Sequence, residues 1–193
     1  MIRMGKELLF GTSNKHKFEE ASKLLKMYSI VLEQHITTIP EIQDENLEYI
    51  AKFTVMEEVR KINKALFVED AGIFIEELNG FPGPYSSYVQ EKLGNKRILK
   101  LMRDIENRNA EFRSAIAFCE PQKEPICFVG ITKGIIANEE HGDRLFGYDP
   151  IFIPEEGDGR TFSEMSVEEK NQISHRGRSL SDFIQWLIKI RKY

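Results

Sequence analysis

Glu69 and Asp70 follow the apolar run Ala65-Leu66-Phe67-Val68 and precede Ala71 and Gly72. Two adjacent carboxylates at the end of an apolar strand occupy the usual place of ligand groups in α/β sheets. Beside an anionic substrate they make chemical sense when a divalent cation lies between them and the second carboxylate activates water. Glu41, in Pro40-Glu41-Ile42-Gln43, is a further candidate ligand. A solvated acidic turn is the competing reading of an isolated Glu-Asp pair.

Upstream, Thr12-Ser13-Asn14-Lys15-His16-Lys17 lies between an apolar run and a helical pattern. Unpaired backbone N–H groups and the positive end of a helix dipole favour anions there, and Asn14 and Lys17 are placed to complete a phosphate cradle. An Asn or Ser helix cap with lysines on the solvent face reads the same residues equally well. No Walker or Rossmann glycine pattern is present. The densest group lies further along: Phe146-Gly147-Tyr148-Asp149, then Lys170, then His175-Arg176. An aromatic face stacks on a nucleobase, Asp149 accepts from ring N–H groups, and Lys170, His175 and Arg176 donate to carbonyl or phosphate oxygens. Core packing explains Phe146 or Tyr148 singly, and a lone His is more often structural, but neither accounts for the whole cluster.

These groups need elements to hold them. Leu8-Leu9-Phe10 reads as a strand, Gly11 to Asn14 as a loop, and Phe18, Ala21, Leu25 and Tyr28 as one helical face. A strand over 30 to 36, a helix carrying Leu47, Ile50, Val55 and Val59, and a buried strand over 65 to 68 extend the pattern to βαβαβ. A Gly/Pro-rich loop at 80 to 84 leads to a helical stretch through Leu93, Ile98 and Leu101. Residues 110 to 118 and 126 to 137 read as a hairpin, and Ser179 to Arg191 as an amphipathic helix. The expectation is an α/β fold with a mixed, twisted sheet and flanking helices, in one domain over residues 1–193.

Composition narrows the function. The net charge of −4 argues against coating nucleic acid, so attraction for an anionic ligand must be local. Apolar runs such as Ile30-Val31-Leu32 are far shorter than the ~18 residues that span a bilayer, and no signal-like segment follows the N-terminus. A cytoplasmic protein without membrane or nucleic-acid partners is expected. Cys119 and Cys127 flank Glu-Pro-Gln-Lys-Glu-Pro, which reads as a turn between strands. Free thiols are expected there, although a disulfide across the turn is geometrically conceivable.

Taken in order, Thr-x-Asn-x-x-Lys from Thr12, Pro40-Glu41-Ile42-Gln43, Glu69-Asp70-x-Gly72, Leu78-Asn79-Gly80-x-Pro82-Gly83-x-Tyr85-Ser86, Phe146-Gly147-Tyr148-Asp149-Pro150 and Ser174-His175-Arg176 resemble the Ham1/inosine triphosphatase family. These are non-standard purine nucleoside triphosphate pyrophosphatases, and the likeness, to archaeal or bacterial members, covers nearly the whole chain. It implies an elongated mixed sheet with two lobes around a central cleft, usually in a homodimer. It also implies Mg2+-dependent hydrolysis of inosine, deoxyinosine and xanthosine triphosphates to monophosphate and pyrophosphate, and the sequence leaves Mn2+ open as the alternative metal. By resemblance, Thr12, Ser13, Asn14, Lys15, His16 and Lys17 contact the triphosphate. Glu41 and Asp70 hold metal, with Glu69 a further candidate, and Asp70 is the proton acceptor. Phe146 stacks on the purine, Gly147, Tyr148 and Asp149 line its edge, and Lys170, His175 and Arg176 reach phosphate or the 6-keto oxygen.

Two positions depart from the family pattern. Ala71 stands where Ser is usual in a substrate-contacting position, and Met56 stands where a lysine is usual, with Lys52 and Arg60 as possible substitutes one turn away. These departures give weight to a non-catalytic purine nucleotide sensor as an alternative. A pyrophosphatase for other modified nucleotides is a second alternative. On the favoured reading Asp70 orients water for attack at the α-phosphorus, while metal, Lys17 and Lys170 neutralise the pyrophosphate that leaves.

Overall fold

The computed structural model describes residues 8–40, 42–143 and 146–191. Glu41, expected to hold metal, lies outside the described residues. The strands are β1 (Leu8–Gly11), β2 (Leu32–His35), β3 (Leu66–Ile75), β4 (Pro82–Gly83), β5 (Asn109–Cys119), β6 (Ile126–Ile136) and β7 (Phe152–Pro154). The helices are α1 (Lys15–Lys26), α2 (Leu47–Ile62), α3 (Ser86–Lys92), α4 (Gly94–Leu101), α5 (Val167–Ile173) and α6 (His175–Arg191). The strands form one mixed sheet in the order β2-β1-β3-β5-β6-β7, with β4 paired to β3. β1 is parallel to both β2 and β3, as expected when α1 and α2 are the crossovers of a βαβαβ run. β4 on β3 and β7 on β6 are antiparallel, which makes the sheet mixed.

Two expectations about element ends are corrected. β3 does not end at the acidic pair: it runs for ten residues, Leu66 to Ile75, straight through Glu69-Asp70-Ala71-Gly72. Gly72 works as a site of close approach within the strand, because a Cβ there would lie 2.2 Å from the carbonyl oxygen of Gly83 on β4. The last helix begins at His175 rather than Ser179, and the Ser174 hydroxyl accepts from the Gly177 N–H at 3.1 Å, as an N-cap does. The stretch expected to be one helix around Leu93 is two, broken at Gly94, whose φ of +68° suits glycine.

By contacts the chain divides into two compact units, residues 1–70, 115–129 and 179–193, and residues 71–114 and 130–178. The core of the first gathers Leu8, Phe10, Leu25, Phe67, Phe118 and Phe183. Phe10 stacks on Phe67 at 4.4 Å, and Phe67 meets Phe183 at 4.9 Å. The core of the second gathers Ile73, Ile98, Phe112, Tyr148, Phe152 and Phe162. There the Arg108 guanidinium donates to the carbonyls of Ile136 (2.6 Å), Met102 (2.8 Å) and Ala137 (2.6 Å), tying the end of β6 to the segment after α4. Cys119 and Cys127 are free thiols. Burial pushes the Cys127 thiol up to about 11, which keeps it protonated and unreactive near neutrality. Among the described residues no helix is long and apolar enough to cross a membrane.

Candidate active site

In the first unit the turn from β1 into α1 is built by one side chain. Asn14 is the N-cap of α1: its Oδ1 accepts from the N–H groups of His16 (3.0 Å) and Lys17 (3.2 Å), and its own N–H donates to the Thr12 hydroxyl at 3.1 Å. Of the two readings open for this loop, the cap is therefore present, and it takes up amides that an anion could otherwise use. Gln34 on β2 donates to the Thr12 carbonyl at 2.9 Å and holds the loop from beneath. Thr12 is buried, whereas Ser13, Lys15 and His16 are exposed.

Lys17, in the first turn of α1, is brought to the acidic pair. Its ammonium lies 2.9 Å from the Glu69 carboxylate and donates to the Glu69 carbonyl at 3.2 Å. The Glu69 side chain is 1% exposed, so this ion pair is sheltered from the screening that weakens surface pairs. Asp70 is half-buried. Because β3 is continuous here, adjacent side chains project to opposite faces. Glu69 is thus engaged by Lys17, and the alternation of the strand sends the Asp70 side chain toward the opposite face.

The segment leading to Glu41 is anchored by a residue that sequence reading passed over. Glu58 on α2 is fully buried, with one carboxylate oxygen accepting from the Thr38 N–H at 2.9 Å and lying 3.3 Å from Nε2 of His35. Lys61 reaches the Thr38 hydroxyl from the same helix. Lys52 and Arg60, the proposed stand-ins for the lysine replaced by Met56, instead pair with Glu48 and Glu57 on their own helix. A glutamate between two turns of a charged helix carries no sequence signal that it faces inward.

In the second unit, which begins with the half-buried Ala71, the expected base-binding residues do assemble. Asp149 and Lys170 form an ion pair at 2.6 Å, both side chains less than a tenth exposed. The Lys170 ammonium stands 5.4 Å from the ring of Phe146, and the Arg176 guanidinium 6.0 Å from the same ring. Two buried cations thus border an aromatic face, with a carboxylate set into the group. Such an arrangement stacks a planar heterocycle and offers donors to its oxygens. His175 is buried and lies flat on Phe112, with centroids 4.5 Å apart and planes 8° from parallel. Tyr148 turns its ring into the core and donates its hydroxyl to the Ser86 carbonyl at 2.8 Å, so only its backbone is left to line an edge. Burial pushes that hydroxyl's pKa up, which keeps it a donor.

Local structure aims these groups. Ser166 and Glu169 form a capping box at the start of α5, which presents Lys170. The Ser166 N–H and the neighbouring Arg160 hold the Glu169 carboxyl down to about 2, so the box stays formed through the physiological range. Between α5 and α6 the chain turns so tightly that a Cβ on Gly177 would lie 1.9 Å from the Asn171 carbonyl oxygen. That contact fixes where α6 begins and hence where His175 and Arg176 point. Ser86 is a hub missed by sequence reasoning: its hydroxyl accepts from the Ile73 N–H (2.8 Å) and donates to the Gly83 carbonyl (2.6 Å). Among the described residues no three His, Cys, Asp or Glu side chains gather as a metal cluster.

The model of the Ham1 family matches residues 8–186 of this chain. The chain is 47% identical over 180 residues to the dITP/XTP pyrophosphatase of Methanopyrus kandleri, covering 93% of this chain and 95% of that protein. It is 46% identical over 187 residues to the dITP/XTP pyrophosphatase of Pyrococcus horikoshii, covering 97% and 100%. Among solved structures it is similar to a Ham1 protein from Coxiella burnetii, with a TM-score of 0.82 at 27% identity over 95% of this chain and 98% of that one. It is also similar to a nucleoside-triphosphatase, dITP/XTP pyrophosphatase, from Mycobacterium abscessus, with a TM-score of 0.72 at 32% identity over 92% and 98%.

Proposed function

We propose, from the premise that this chain belongs to the Ham1 family, that it hydrolyses non-canonical purine nucleoside triphosphates to the monophosphate and pyrophosphate. It is an enzyme of the class named in its dITP/XTP pyrophosphatase relatives, and its substrates are triphosphates such as ITP, dITP and XTP. The observation that carries the reading in this chain is the group of Phe146, Asp149, Lys170 and Arg176. An aromatic face bordered by a buried ion pair and a buried guanidinium suits a keto-purine better than a simple phosphoester.

In this mechanism a water adds to the α-phosphorus, and the bond to the bridging oxygen breaks. Pyrophosphate leaves with the electron pair, and Asp70 takes the water's proton. Lys17 at the start of α1 attracts the triphosphate and opposes the charge that builds on the leaving group. Its pairing with Glu69 holds it ready in a fixed place. Asp70 and Glu41 offer oxygen donors, which fit a hard divalent cation such as Mg2+ or Mn2+, and the Glu69–Lys17 pair makes Glu69 a weaker candidate for that role. Such an ion supplies charge neutralisation at the phosphate oxygens. The family resemblance further supports a homodimer working in the cytoplasm, where nucleotide pools reside.

The test is a panel of ITP, dITP, XTP, ATP and modified pyrimidine triphosphates with Mg2+, Mn2+ and chelator, in which orthophosphate and pyrophosphate are read separately. Pyrophosphate and monophosphate in equal amounts from the keto-purines is the expected outcome. Orthophosphate with accumulating diphosphate would sink the reading, and binding without turnover would leave a sensor.

A further inference from the structure

The carbonyl of Gly147 is held by two side chains that no part of the proposed reaction uses. Gln90 on α3 donates its Nε2 to it at 2.9 Å, and Asn95 on α4 donates its Nδ2 at 3.0 Å. The two helices meet at Gly94, and the break there is what lets residues so close in sequence converge on one oxygen. A carbonyl has two lone pairs, and both are engaged here. The side-chain oxygens Oε1 of Gln90 and Oδ1 of Asn95 are buried without hydrogen-bond partners among the described residues. Leaving buried acceptors unsatisfied is costly, and Asn95 is only 7% exposed. The arrangement is therefore an expensive way to hold a single peptide group. The amide orientation itself follows from the chemistry, because the flipped amides would set oxygen against oxygen.

In a trans peptide the C=O of one residue and the N–H of the next point in opposite directions. Fixing the Gly147 carbonyl toward Gln90 and Asn95 therefore aims the Tyr148 N–H the other way. The 147–148 peptide turns over by opposed rotations of ψ at Gly147 and φ at Tyr148; Gly147 has no Cβ to resist its share, and the bonds to its carbonyl help to keep Tyr148 at its φ of −94°. Turned over, the peptide would put a carbonyl acceptor in the direction in which the Tyr148 N–H now points. A 6-keto purine offers an acceptor at that edge and adenine offers an amino donor, so the two orientations favour opposite bases.

We infer that Gln90 and Asn95 are positioning residues that lock the Gly147–Tyr148 peptide in its donor-outward orientation, and that this lock helps select keto-purines over adenine. The inference rests on the proposed function, with residues 146–149 lining the base. The lock itself is visible in the structure whatever the substrate.

The experiment compares kcat/KM for XTP and ATP in the wild type and in Asn95→Leu, Gln90→Met and the double variant, which remove the donors at nearly constant volume. One hydrogen bond supports up to about tenfold discrimination. Each single variant is expected to compress the XTP/ATP ratio about 3- to 10-fold, and the double variant more than either. Gln90→Lys, which restores a donor, should recover part of the ratio. A merely structural role would lower both substrates together and leave the ratio unchanged. Well-folded variants with the wild-type ratio overturn the inference while wild-type pyrophosphate release from XTP keeps the proposed function standing. A wild type that releases no pyrophosphate from XTP overturns the function instead. Asn95 is deeply buried, so its variant carries the greater risk of misfolding. Gln90 is only half-buried, and an unchanged ratio in a folded Gln90→Met is by itself sufficient to reject the lock.

Discussion

At the scale of single residues, Asp70 and Glu69 show how neighbours in sequence come to do different work. Glu69 is sealed in an ion pair with Lys17, whereas Asp70 projects from the other face of β3 and is half-buried. Asp70→Asn keeps the volume and removes the proposed base, so the expected result is a kcat lower by at least ~100-fold with little change in melting temperature. Steady-state kinetics and a thermal melt decide it, and a near-wild-type kcat would move the proton acceptor elsewhere. The grouping of the residues proposed to bind the base was legible in the sequence because aromatic, acidic and basic types recur in short stretches. Phe146, Asp149, Lys170 and Arg176 assemble as expected. Gln90, Asn95, Ser86 and Phe112 were not legible in those roles, because each acts on a backbone group or ring far along the chain. A single amide or hydroxyl carries no periodicity to betray its partner. Glu58 was hidden for the opposite reason: a charged residue in a charged helix reads as solvent-facing, yet it is fully buried.

At the scale of elements, the alternation of strand and helix in the first half was legible, since apolar periodicity and Gly/Asn punctuation mark it clearly. Element ends were less so. The acidic pair read as a strand's end is in the middle of β3, and the Gly72 that follows it meets the approach of Gly83 rather than a turn. Gly177 gives a prediction of the same kind. In an ordinary helix Gly→Ala stabilises by up to about 1 kcal/mol. Here the added Cβ would collide with the Asn171 carbonyl, and backbone cannot give way as a flexible side chain does. Gly177→Ala is therefore expected to lower the melting temperature and to weaken nucleotide binding by displacing His175 and Arg176. Calorimetry with a binding titration checks this, and a raised melting temperature would show that α5 and α6 move apart freely.

At the scale of the whole molecule, an enzyme with a net charge of −4 is proposed to bind a polyanion. Long-range attraction then works against the ligand, and only local cations such as Lys17 and any bound metal favour it. Salt screens both contributions, but the partly exposed Lys17 is screened more than buried pairs are. Raising NaCl from about 0.05 to about 0.5 M is therefore expected to raise KM for XTP roughly 3-fold or more, since the Debye length falls from beyond ~10 Å to a few ångströms. The effect on kcat should be smaller. Kinetics at matched free metal concentration tests it, and a KM indifferent to salt would mean that the phosphates are held mainly by neutral donors.

The continuity of β3 also bears on how such a sequence can change over generations. Because the strand alternates faces through Glu69 and Asp70 and passes Gly72 against Gly83 without a gap, the loss or gain of one codon before the acidic pair would exchange their two environments and shift Gly72 off its contact. A substitution at Ala71 leaves this register intact. A change in the count of residues between Leu66 and Gly72 does not, so the geometry of the strand constrains length more than side-chain identity in this stretch.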